Sequence, residues 1–299
     1  TLRSIWRYGP TLFWVFLSSS YDIDELLFVI KRYHNRMNKQ FSLVLGGGAA
    51  RGLAHIGIIE RLNELWINPI EISGTSIGAI IGAFYAIWYS GTEMRKIALE
   101  TNFLKLVDLD FKNWLLKWNK IKKYLWKYLG DKDFSDLLIP LSIVATNIDT
   151  GEKIVFREWK IIDAIRASIG IPWIFVPFKH NGMHLVDWWL MENLPIKVLN
   201  SKCPVIAVSV QMNISKKVRN KKSFLFPNGT ILSNSYNIVR KMVWIMMYQN
   251  ELNSLETRDD IITIRAERED IDYYEFNKMN IMINEWYKCS ESIEQILKK

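Results

Sequence analysis

Ile70-Glu-Ile-Ser-Gly-Thr-Ser-Ile-Gly-Ala-Ile-Ile-Gly-Ala-Phe-Tyr-Ala86 is the stretch on which the reading of this chain turns. Ile70–Ser73 reads as a short strand, and the residues from Ile77 to about Tyr89 read as an apolar helix. Between them lies Gly74-x-Ser76-x-Gly78, the spacing of a nucleophile elbow on a strand-to-helix turn. Such a turn must hold a serine hydroxyl clear of the sheet, and Gly74 and Gly78 on either side remove the Cβ atoms that would collide there. The helix start also aims its partially positive end at developing negative charge. Ser76 is therefore a candidate nucleophile.

The segment just upstream repeats the pattern. Phe41–Leu45 is an apolar run entering Gly46-Gly-Gly-Ala-Ala-Arg-Gly52, and helical spacing follows at Leu53, Ile56, Ile59, Leu62 and Leu65. The loop lacks the Gly-Lys-Ser/Thr ending of a nucleotide P-loop, and Arg51 stands at the third glycine of the dinucleotide fingerprint. It presents backbone N–H groups at a helix start, the donor set of an oxyanion hole. Arg51 has two roles open to it, holding the loop or meeting a lipid phosphate.

Two strand–turn–helix units in succession predict a parallel sheet flanked by helices. Downstream, helices are expected over Thr92–Asn102 and Asn113–Leu129, and paired strands at Pro140–Thr146 and Lys153–Glu158 around Asp149-Thr-Gly. A helix at Ile161–Ser168 precedes an Asn181-Gly182 hairpin within Phe178–Val186. A strand at Pro204–Gln211, a long helix at Ile231–Leu255, a strand at Ile261–Glu267 and a helix at Tyr274–Leu297 complete the pattern. Met37 reads as a natural start, with residues 1–36 an upstream extension of the domain at 37–299. The core of that domain is expected over about 41–212, with a mainly helical part at 213–299.

Composition narrows the chemistry. The chain has 299 residues and a net charge of +8. Its two cysteines, Cys203 and Cys289, lack metal-ligand spacing and read as reduced thiols in a cytoplasmic protein. No metal and no organic cofactor are implied. Residues 111–127 hold six lysines and no acidic residue, interleaved with Trp, Leu, Ile and Tyr. That face suits an anionic membrane surface as well as plain solvent; no nucleic-acid recognition motif accompanies it. Four histidines are present, and none follows Asp187. His180 and His184 flank the hairpin turn and read as hairpin side chains. A serine paired with a carboxylate in a dry pocket is feasible without histidine, because burial raises carboxylate pKa values toward those of a working base.

These elements together resemble the bacterial patatin-like phospholipases over about residues 41–290. The likeness rests on Leu43-Val-Leu-Gly-Gly-Gly-Ala-Ala-Arg-Gly-Leu-Ala-His55, Gly74-Thr-Ser-Ile-Gly-Ala79, Ala164-Ile-Arg-Ala-Ser-Ile-Gly-Ile-Pro172 and Leu185-Val-Asp-Trp-Trp-Leu-Met-Glu-Asn-Leu-Pro195. The resemblance implies a Rossmann-like three-layer α/β/α sandwich with a mostly parallel central sheet. It implies an oxyanion hole at Gly46, Gly47, Gly48 and Arg51. It also implies an acylated Ser76 and Asp187 as general base in a Ser–Asp dyad, acting on phospholipid or another lipid ester. A thioesterase or general carboxylesterase on the same dyad, and an inactive lipid-binding module, are the competing readings. The implied setting is cytoplasmic, with peripheral membrane contact through 111–127.

One departure stands out. The family pattern has Asp-Gly-Gly/Ala where this chain has Asp187-Trp188-Trp189. Trp66, Trp159, Trp173 and Trp286 also stand where the resemblance leads one to expect glycine, with Trp88, Trp114 and Trp118 weaker cases. There are 13 tryptophans against only 15 glycines, whereas glycine ordinarily runs near about 7% of residues. We expect these positions to reflect UGA codons that the source reads as glycine.

Overall fold

Leu43, Val44 and Leu45 show how the chain builds its layers. Successive strand residues point to opposite faces. Leu43 and Leu45 join a large core on one side, while Val44 joins a smaller one with Leu194, Ile196, Val205 and Ala207 on the other. A strand buried on both faces is apolar throughout, as parallel strands between helical layers must be.

The computed structural model describes residues 40–106, 108–110, 115–171, 175–187, 191–211, 231–266, 268 and 270–294. The expected extension at 1–36 lies outside them, as does a second basic stretch of the sequence at Lys216–Lys222. In chain order the elements are β1 (Ser42–Leu45), a 3-10 turn (Ala49–Ala54), α1 (His55–Glu64), β2 (Glu71–Thr75), α2 (Ile77–Ala86) and α3 (Gly91–Glu100). A two-stranded ribbon, β3 (Leu109–Asp110) with β4 (Leu115–Leu116), leads to α4 (Asn119–Leu129). Then come β5 (Leu141–Asn147), β6 (Lys153–Phe156), α5 (Ile161–Ser168), β7 (Phe178–His180), β8 (Met183–Asp187) and β9 (Val205–Ser209). The chain closes with α6 (Ile231–Leu255), β10 (Ile261–Arg265) and α7 (Met279–Cys289).

The main sheet runs β10-β9-β1-β2-β5-β8-β7, with β6 also on β5. Pairings from β10 to β5 are parallel, and those of β5 with β6, β5 with β8 and β7 with β8 are antiparallel. The three-layer α/β sandwich is the observed fold. One expectation needs correction. The helix foreseen from Asn113 begins only at Asn119, because β4 and the turn after it take up the preceding residues. The strand expected at Ile261–Glu267 is β10, which pairs with β9 and extends the sheet.

Helix ends explain part of the tryptophan pattern. At the end of α1, Ile67 N–H bonds Leu62 O at 3.1 Å and Trp66 N–H bonds Asn63 O at 3.1 Å. After α2, Tyr89 bonds Phe84 at 3.0 Å and Trp88 bonds Tyr85 at 2.9 Å in the same way. Both are Schellman motifs, whose C′ residue is left-handed and usually glycine. Here that residue is tryptophan, with φ 55° at Trp66 and 85° at Trp88; Trp159 also has φ 85°. Trp286 differs. It lies inside α7 with helical neighbours, fully buried, and its Nε1 donates to Ser209 O at 3.0 Å. It fills a packed place that the capping tryptophans do not have. Trp114, Trp173, Trp188 and Trp189 lie outside the described residues.

Candidate active site

A strand has two edges, and β5 uses both. β6 lies along one edge over Ile143–Thr146. The other is shared: β2 pairs with it as far as Val144, and β8 from Ala145 onward. β2 and β8 therefore run toward each other along one edge of β5 and end together. Thr75 sits against Val144 and Asp187 against the next residue, Ala145. The residue that follows Thr75 is Ser76. The sheet thus brings the two candidate groups to one place, 111 positions apart in the chain as they are.

α5 ties both down. Ser76 N–H donates to Ser168 Oγ at 2.9 Å, and Asp187 N–H donates to Gly170 O at 3.0 Å. Ser76 has φ 57°, the strained turn that an elbow requires. The glycines around it are obligatory: a Cβ on Gly74 would stand 2.6 Å from Gly78 O, and one on Gly78 2.2 Å from Leu45 O. Both Ser76 and Asp187 are buried.

The glycine loop closes over the serine. A Cβ on Gly47 would stand 3.3 Å from Ser76 Cβ and 2.9 Å from Asn193 Oδ1. Gly46 N–H is spent on Val208 O at 3.2 Å, and Gly47 N–H reaches Asn193 O at a long 3.4 Å. Gly48 N–H makes no bond to the described residues. His55, wholly buried, contacts Gly46 O through Nε2 at 2.7 Å; burial lowers its pKa to about 4, so the ring is neutral and donates there.

The Arg51 guanidinium is buried, Nε donating to Val210 O at 2.6 Å and Nη1 to Arg268 O at 2.6 Å and Ile271 O at 2.7 Å. Tyr273 and Trp286 rings flank it. Of the two roles left open to it, Arg51 fills the first and clamps the loop to the C-terminal part. Asp149 lies in the β5–β6 turn and meets His184 Nδ1 at 2.8 Å, as surface hairpin side chains do.

Sequence reasoning gave no role to Ser168 and Asn193. Asn193 is wholly buried and wedged against Gly46 and Gly47, with Nδ2 3.4 Å from Glu251 Oε2. Glu251 also accepts from Ser209 Oγ at 2.6 Å and pairs with Arg265; burial holds its carboxyl above the usual range against the pull of that arginine. The signal for both residues lay in the matched blocks around them, but no periodicity distinguishes a buried hydroxyl or amide that faces a distant loop.

From Ser76 a cavity of about 340 Å³ runs into the protein, walled by Ile77, Ile80, Phe84, Leu125, Phe175 and Phe276 among others. Its lining suits a hydrocarbon chain. Among the described residues no cluster of His, Cys, Asp and Glu could hold a metal ion, and no helix is long and apolar enough to cross a membrane.

Known proteins resemble this chain. An uncharacterised NTE family protein of Mycobacterium tuberculosis is 29% identical over 188 residues, 62% of this chain and 52% of the relative. Lysophospholipase NTE1 of Yarrowia lipolytica is 27% identical over 217 residues, 70% of this chain and 15% of that protein. The chain thus spans about half the length of its mycobacterial relatives. The solved structure of VipD from Legionella pneumophila superposes with a TM-score of 0.49 at 15% identity, over 87% of this chain and 66% of that one. Residues 43–200, just over half of the chain and including the glycine loop, the serine elbow and Asp187, match the family model for patatin-like phospholipases, and to that family the chain belongs.

Proposed function

We propose that this protein is a serine-dependent lipid acyl hydrolase working through an acyl-enzyme on a Ser76–Asp187 dyad. One observation supports the reading above all: β2 and β8 end together on one edge of β5, and Ser76, the residue after β2, lines an apolar cavity. The hydrocarbon of an ester lies in the cavity with its carbonyl at Ser76. Ser76 Oγ attacks the carbonyl carbon as Asp187 takes the hydroxyl proton. The oxyanion meets the amides of Gly47 and Gly48, replacing the long bond from Gly47 to Asn193. Collapse expels the leaving alcohol, which receives the proton from Asp187. Water then loses a proton to Asp187, attacks the acyl carbon and releases the fatty acid, restoring both side chains. The steps call on no cofactor. We infer a cytoplasmic setting, with the chain peripheral at an anionic membrane through residues 111–127.

A hydrolysis panel of phospholipids, lysophospholipids, acyl thioesters and short-chain carboxylic esters tests this. Wild-type protein is expected to release fatty acid from long-chain lipid esters, and Ser76→Ala to lose about 10⁴-fold or more in rate. Preference for thioesters would move the assignment to a thioesterase, and hydrolysis unaffected by Ser76→Ala would end it.

A further inference from the structure

The helix that carries the lysines is also a wall of the cavity. Ile121, Tyr124 and Leu125 of α4 line the space that begins at Ser76. The spacing of these residues puts them on one face, three and four apart. The opposite face exposes Lys120, Lys122, Lys123 and Lys127, with the Trp126 ring among them 47% exposed. α4 contains no acidic residue.

The neighbours engage only part of this face. Lys122 meets Asp163 at 3.7 Å, and Lys127 Nζ lies 4.9 Å from the centre of the Tyr128 ring. Asp131 and Asp133, just beyond the helix, are both engaged by Lys160. Lys123 and Lys127 have no carboxylate partner among the described residues. The inner face is fixed to the body by Leu125 and Leu129, both buried, and by the Tyr124 hydroxyl on Thr101. An exposed tryptophan among lysines, on a helix whose back is packed, has the composition of an interfacial anchor.

We propose that α4 is the face this protein sets on an anionic bilayer, and that docking there controls delivery of bilayer lipid to Ser76. This deepens the lipid-hydrolase reading and rests on it for the second half only. With α4 as a wall of the cavity, docking on its outer face holds the cavity within about the thickness of one helix of the bilayer surface. A short, water-soluble ester needs no such placement. The same lysines therefore govern hydrolysis of bilayer lipid and leave no mark on hydrolysis of a dissolved ester.

The experiment uses the full chain in two arms. In the first, Ser76→Ala protein is sedimented with phosphatidylglycerol vesicles and with phosphatidylcholine vesicles. Binding is expected to the anionic vesicles and to fall steeply with added salt. Each lysine near such a surface adds a factor of about five to affinity, so Lys123→Gln with Lys127→Gln weakens binding by roughly 25-fold. In the second arm, fatty-acid release from the anionic vesicles is divided by turnover of p-nitrophenyl butyrate for each protein. The double variant is expected to lower that ratio by roughly the loss in binding. Equal binding to both vesicle types, an unchanged ratio, or tighter binding to a duplex oligonucleotide than to the vesicles would overturn the proposal. Lysine-dependent vesicle binding by a protein that hydrolyses neither substrate would leave the docking face standing, sink its link to delivery and refute the hydrolase reading.

Discussion

Ser76 and Trp66 both hold a positive φ, 57° and 55°, yet the strain has a different cause at each. At the elbow it is enclosed. Ser76 is buried, its amide is bonded to Ser168, and of the flanking glycines Gly74 admits the main chain of Gly78 and Gly78 that of Leu45. Backbone strain that the surroundings over-determine is characteristic of functional sites. Trp66 caps α1 with 41% of its surface exposed, and Trp88 caps α2 with 51% exposed. Their positions ask for a left-handed residue and for no side chain. The lesson is that positive φ marks a site only where packing enforces it; elsewhere it marks a residue that does not suit its cap. That is the behaviour expected if Trp66 and Trp88 are read from glycine codons.

Exchanging residues at the two kinds of position sharpens this contrast. The largest effect should come from Trp286, which resembles the capping tryptophans in sequence and differs from them in burial. Trp286→Gly empties a filled site and strands the Ser209 carbonyl, so chemical denaturation should show a loss of about 3–5 kcal/mol. Stability unchanged by that substitution would return Trp286 to the group of misread glycines.

His55 probes the enclosed side of the comparison, since it holds the Gly46 carbonyl at the turn over Ser76. Its folded pKa, about 4, lies below the ordinary 6.5, so between those values the unfolded chain binds the extra proton. Stability from this group is complete above pH 6.5 and is lost as pH falls toward 4, by about 3 kcal/mol in all. Urea melts at pH 7 and pH 4.5 should show the loss in the wild type, and a smaller loss in His55→Gln. Equal losses in the two proteins would remove His55 from the account.

The smallest effects belong to the caps. Trp66→Gly and Trp88→Gly each relieve about 1–2 kcal/mol of left-handed strain, offset by about 0.5–1 kcal/mol for glycine's freedom in the unfolded chain. A net gain of up to about 1.5 kcal/mol each should raise Tm by up to about 4 °C in a chain of this size. The coding DNA gives an independent check, because UGG codons at both positions would exclude misreading.

Much of the fold was legible because it depends on local signals. The two strand–turn–helix units, the Asn181-Gly182 hairpin and helix Ile231–Leu255 all follow from periodicity and turn chemistry. Ser76, Asp187 and the glycine loop could be named from motifs for the same reason. What brings Ser76 and Asp187 together could not. It depends on β8 sharing an edge of β5 with β2, a long-range pairing that leaves no local trace. Arg51 pointed to the oxyanion hole in sequence because it adjoins the loop, whereas its side chain reaches carbonyls more than 150 positions away. Asn193 and Ser168 gain their roles from the same kind of distant contact.

The convergence of Ser76 and Asp187 is most directly tested by the rate at which a fluorophosphonate labels Ser76 in Asp187→Asn protein. Loss of the base should slow labelling by about 10³-fold while the melting curve stays that of the wild type. Labelling at the wild-type rate would contradict the account.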